Sequence, residues 1–153
     1  MTTRRRKGKR SPGRDKLTSP VNARELAFVV LSQHKSSGEL IAPLLEPRLG
    51  DEALSPGDRA LASEIIYGIV RRQATLNTVL QRYINRPRHR VEGELWTLLQ
   101  IGAYQLIFLD SVPAHAAVNE TVNVARRIGQ PRWSGFLNGV MRSVAREQTD
   151  ELA

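Results

Sequence analysis

The sequence predicts an all-α protein, a bundle of about six or seven helices preceded by a disordered basic N-terminal tail.

 

Three observations carry that prediction. Apolar residues recur at three- and four-residue spacing in successive windows, nothing alternates with period two, and no Asn-Gly hairpin joins two β-rich runs. Hydrophobic residues make up 41% of the 153-residue chain, enough to bury one domain's core without staples. The net charge of +8 is concentrated at one end: residues 1–16 hold eight basic side chains against Asp15, and the rest of the chain holds 15 basic against 14 acidic. The tail has no apolar periodicity and contains Gly8, Pro12 and Gly13, so it cannot bury enough surface to offset its ordering entropy. The expected organisation is a tail at 1–18, a helical domain at 19–148 and a short C-terminal tail at 149–153.

The elements follow in order. Ser19-Pro20 reads as an N-cap with proline in the first helical position, and Ala23, Leu26, Ala27, Val30 and Leu31 form the stripe behind it, to about His34. Ser36-Ser37-Gly38 ends that helix. Leu40, Ile41, Leu44, Leu45 and Leu49 suggest a second helix, interrupted in pattern by Pro43 and Pro47. After a loop over 50–58, Ser55 with Asp58 three residues on marks the start of a third, carrying Ala62, Ile65, Ile66, Ile69 and Val70. Leu76, Val79, Leu80, Tyr83 and Ile84 give a short fourth, closed by Asn85-Arg86-Pro87. From Val91 to Leu109 apolar residues lie almost all round the helix, which should therefore be central, with Gly102 admitting a close neighbour. Val112-Pro113 then precedes a stripe of Ala114, Ala117, Val118, Thr121, Val122, Ala125 and Ile128. Gly129 and Pro131 break it, and Trp133, Phe136, Leu137, Val140, Met141 and Val144 form the last.

Several chemistries are excluded. The chain has no cysteine, which removes disulfides, thiolate metal sites and a thiolate nucleophile together. Its glycines never form a strand-linked G-x-G-x-x-G, no Ser-His-Asp pattern is readable, and His34, His89 and His115 lack metal-motif spacing. Leu95 to Leu109 is too short to span a bilayer and carries Gln100 and Gln105. The expectation is a non-enzymatic cytoplasmic protein without cofactor or metal. His115 is read as a first-turn residue packing or capping near Pro113. Asn119-Glu120 and Asn138-Gly139 read first as structural, bonding helix ends or bridging helices, with Gly139 permitting close packing. The alternative places Asn119, Asn123, Arg126 and Arg127 on a recognition face.

The string VPAHAAVNETVNVARRIG followed by FLNGVMR, with DRALASEIIYGIVRR and LLQIGAYQLIFL upstream, resembles the NusB family over roughly residues 20–146. The resemblance implies an RNA-binding helical fold found in two settings. One is the antitermination factor that pairs with NusE to hold boxA RNA. The other is the N-terminal domain of a 16S rRNA cytosine-C5 methyltransferase, whose cysteine and S-adenosylmethionine site lie on a separate α/β domain. In the antitermination factors an arginine-rich stretch runs directly into helix one. Here Val21-Asn22 precedes Ala23-Arg24-Glu25, and the arginines lie more than ten residues further back. SPVNARELAF, LSPGDRALASEIIYGIVRR and VPAHAAVNETV look more like the methyltransferase-associated domain.

The candidate RNA-binding residues are basic. In the tail they are Arg4, Arg5, Arg6, Lys7, Lys9 and Arg10, able to neutralise phosphates and release counterions. On the body they are Arg24, Arg71, Arg72, Arg86, Arg88, Arg90, Arg126 and Arg127, with Arg82 as a further basic position. The expected partners are RNA, either ribosomal or nascent, and a methyltransferase catalytic domain or NusE, with no membrane. A helical bundle that binds only protein is the remaining alternative.

Overall fold

The structure, a computed structural model, describes residues 19–151, with side chains described to residue 148. The basic residues at positions 4 to 10 and the tail expectation lie outside the described residues. Seven α-helices are present among those described: α1 (Ala23–Ser37), α2 (Ile41–Leu49), α3 (Pro56–Arg71), α4 (Gln73–Gln81), α5 (Gly93–Phe108), α6 (Ala114–Arg127) and α7 (Ser134–Glu151). Short 3-10 turns at Arg88–Arg90 and Pro131–Trp133 lead into α5 and α7, and no strand occurs among the described residues. The all-α class is as the periodicity indicates.

The start of α1 differs from the sequence reading. Asn22, not Ser19, caps it: the Asn22 side-chain oxygen accepts from the Glu25 N–H at 3.0 Å, while Glu25 reaches back to the Val21 N–H at 2.8 Å. This reciprocal pair satisfies two donors at the helix start and outcompetes the Ser-Pro signal. At the other end Gly38 adopts φ 73°, the left-handed conformation that glycine takes without a Cβ penalty, and closes α1 on the His34 carbonyl. α2 runs unbroken despite its prolines. Pro43 falls in the first turn, where its missing N–H costs nothing, and only Pro47 sits inside. Ser55 caps α3 as expected, accepting from the Asp58 N–H at 3.0 Å and donating to the Asp58 carboxylate at 3.1 Å.

α5 is the central element, packed against α1, α3, α4, α6 and α7. Leu95 through Gln105 are all buried, which explains why its apolar residues run round the helix. Two glycines set how closely its neighbours come. A Cβ on Gly102 would overlap the Met141 sulfur of α7, and one on Gly68 would overlap the Tyr104 ring. Gly139 is different: nothing lies within 4 Å of its Cβ position, so the close packing expected there is absent because that face of α7 looks outward. The first-turn His115 is likewise exposed. Among the described residues no helix is long and apolar enough to cross a membrane.

Candidate nucleic-acid interface

The folded body distributes its basic residues into separate groups. The first surrounds the start of α1. Arg24 Nε donates to Gln105 Oε1 at 2.8 Å, and the Gln105 amide in turn donates to the Ile101 carbonyl at 2.9 Å and to Thr121 Oγ1 at 3.3 Å. Burial lowers the Arg24 pKa, opposed by the charges of Glu120 and Asp58. Beside it, Arg127 Nε lies 2.8 Å from Glu25 Oε1, a carboxylate almost wholly buried. Arg24 and Arg127 thus tie α1 to α5 and α6 before they offer anything to a ligand. Arg126, exposed at the end of α6, leans toward Asn123 Oδ1 at 3.4 Å. Asn119, Asn123 and Arg126 share the exposed side of α6.

A second group closes α3. Arg71 and Arg72 are exposed, and the Arg72 guanidinium lies over the Phe108 ring, 4.3 Å from its centroid. Phe108 in turn packs on Tyr104, whose hydroxyl donates to Glu64 at 3.2 Å. Burial raises the Tyr104 pKa, helped by the Glu64 charge and hydrogen bond, with Arg71 and Arg72 acting the other way.

The third group flanks the N-terminal half of α5. Arg86, Arg88 and Arg90 are exposed on the segment before it; Arg86 lies over Phe136 at 5.1 Å and Arg88 over Trp96 at 4.4 Å. Cation–π attraction favours each guanidinium lying over its ring. Beneath Arg88, a shallow groove of about 520 Å³ is lined by Asn77, Thr78, Gln81, Arg82, Arg88 and Trp96. The sequence reading placed Arg88 and Arg82 among basic positions, but it missed Lys35, Asn77 and Trp96. The available signal was Thr97 and Gln100, polar residues in the most apolar helix. Along α5, Thr97 and Gln105 are about 12 Å apart at 1.5 Å per residue, so the first and third groups are distinct.

With this arrangement in hand, comparison with known proteins identifies the fold. The NusB family pattern matches residues 21–146. The chain belongs to the NusB family. A solved structure of T. maritima NusB superposes with a TM-score of 0.72 at 24% identity, covering 90% of this chain and 93% of that one. Among sequence relatives, the probable ribosomal RNA small subunit methyltransferase B of Synechocystis sp. is 36% identical over 128 residues, 84% of this chain and 29% of that protein. The ribosomal RNA small subunit methyltransferase B of Cronobacter sakazakii is 31% identical over 133 residues, 87% of this chain and 30% of its own length. The chain spans about 30% of the length of these curated relatives. This NusB-family domain is therefore related to methyltransferases of ribosomal RNA while covering only part of their length.

Proposed function

We propose that this NusB-family domain is an RNA-docking module that serves a 16S rRNA cytosine-C5 methyltransferase, binding ribosomal RNA and leaving methyl transfer to a catalytic domain. The observation that carries the reading is identity of 31–36% to small subunit methyltransferase B proteins across the helical domain, in a chain without a cysteine nucleophile. The physical chemistry agrees. The eight basic side chains of residues 1–16 form a cationic arm suited to a polyanion, and the exposed Arg71, Arg72, Arg86, Arg88, Arg90 and Arg126 extend positive charge over the body. Arg24 and Arg127 serve this surface by fixing the start of α1, to which the arm connects.

The reading is tested by measuring binding of the full chain to a 16S rRNA fragment, boxA RNA and a scrambled control, together with capture of a methyltransferase catalytic domain or NusE. Preference for the rRNA fragment and capture of the catalytic domain are expected. Preference for boxA with NusE capture would move the protein to the antitermination branch. Absence of RNA binding at moderate salt would leave a protein-interaction bundle.

A further inference from the structure

We propose that the groove between α4 and the first half of α5 is a nucleotide subsite, taking one unit of single-stranded RNA with its phosphate on Arg88 and its base edge on Asn77 and Gln81. The proposal rests on the RNA-docking reading and assigns it a site apart from the α1 start.

Asn77 and Trp96, which line the groove, belong to a polar network with a single consistent orientation. Lys35 Nζ donates to Thr97 Oγ1 at 2.8 Å and to Gln100 Oε1 at 2.7 Å. With its oxygen so occupied, Gln100 must donate through Nε2, and it does so to Asn77 Oδ1 at 2.9 Å. The same oxygen accepts from Trp96 Nε1 at 2.9 Å. Asn77 therefore turns its oxygen inward, and its amide N–H donors have no protein acceptor among the described residues. Gln81 shows the complement. Its Nε2 donates to the Ile84 carbonyl at 3.1 Å and the Arg86 carbonyl at 2.8 Å, which leaves Oε1 as an unused acceptor. A donor and an acceptor side by side match the mixed edge of a nucleobase.

The charges point the same way. Lys35 and Arg88 are near enough to repel, and among the described residues neither forms an ion pair with a carboxylate. Burial, then Arg88, brings the Lys35 pKa down to about 8; burial also lowers that of Arg88. Two cations that repel each other favour an anion beside them. Arg88 adds a planar surface. It lies over Trp96 and is exposed, so a base can stack against it, as bases do on guanidinium planes in RNA recognition. The volume of about 520 Å³ falls in the range of roughly 300–1,000 Å³ typical of small-molecule sites.

Trp96 and Trp133 are the two tryptophans, so indole N–H signals in two-dimensional NMR separate the groove from the α6–α7 turn. Titrating the full chain with single-stranded pentauridine and pentaadenosine should move the Trp96 signal saturably and leave that of Trp133 in place. Arg88→Gln should weaken the effect about 10-fold, whereas Arg142→Gln, at an exposed position of α7, should not alter it. The unliganded Trp96 shift in each variant checks that the network still forms. An unmoved Trp96 signal while longer RNA binds the full chain overturns the subsite and leaves the docking reading intact. An equal shift with inorganic phosphate at the same concentration overturns the nucleotide assignment in favour of a simple anion site. Failure of every RNA, long or short, to bind removes the docking reading and the subsite together.

Discussion

At the scale of single residues, glycines show how identical letters take opposite roles. Gly102 and Gly68 sit where α7 and the Tyr104 ring press against a bare backbone, whereas Gly139 faces open space. Gly102→Ala should destabilise the fold by about 1–3 kcal/mol, because the added methyl forces Met141 from a fully buried position. Gly68→Ala should cost at least as much, since a rigid ring must shift and carry its Glu64 and Phe108 contacts with it. Gly139→Ala should instead stabilise by about 0.5–1 kcal/mol, the difference in helical preference between the two residues. Chemical denaturation of the three variants checks the set, and a destabilised Gly139→Ala would contradict the placement of that face. Gly102 was legible in the sequence because it interrupts a helix apolar on all sides. Gly139 was not, since its neighbours do not reveal which way its own face of α7 points.

At the scale of elements, the start of α3 was legible because its deciding contact is local. Ser55 and Asp58 meet three residues apart, and the sequence names both; Ser55→Ala should cost about 1 kcal/mol, read as a lower denaturation midpoint. The start of α1 was misread because Asn22 and Glu25 close a box that the Ser19-Pro20 pair obscures. The polar network that reaches the groove was illegible because its members come from 35 to 100 in the sequence and meet only through packing. Lys35 gives that element a pH signature. Its folded pKa of about 8 lies below the ordinary 10.5, so between those values the unfolded chain holds more protons and folding gains stability as pH rises. Relative to Lys35→Met, the native chain should therefore gain in melting temperature from pH 7.5 to pH 9.5. A constant or falling difference would contradict the desolvated ammonium.

For the molecule as a whole, charge and fold separate. The body is nearly neutral, and its arginines divide between joining helices, as Arg24 and Arg127 do, and lying on aromatic rings at the surface, as Arg72, Arg86 and Arg88 do. The sequence revealed the surplus of charge in residues 1–16 and the family, but a list of arginines cannot reveal which ones are already engaged. That depends on partners such as Gln105 and Glu25 brought in from other helices. The central claim is that a cationic arm on a NusB-family bundle docks RNA. The most direct test is the affinity of the full chain for single-stranded RNA measured across salt concentrations. With ~6 phosphates neutralised, the log-log slope should be roughly −4 and should shrink on removal of residues 1–16. A slope near zero, or no measurable binding at low salt, would contradict the account.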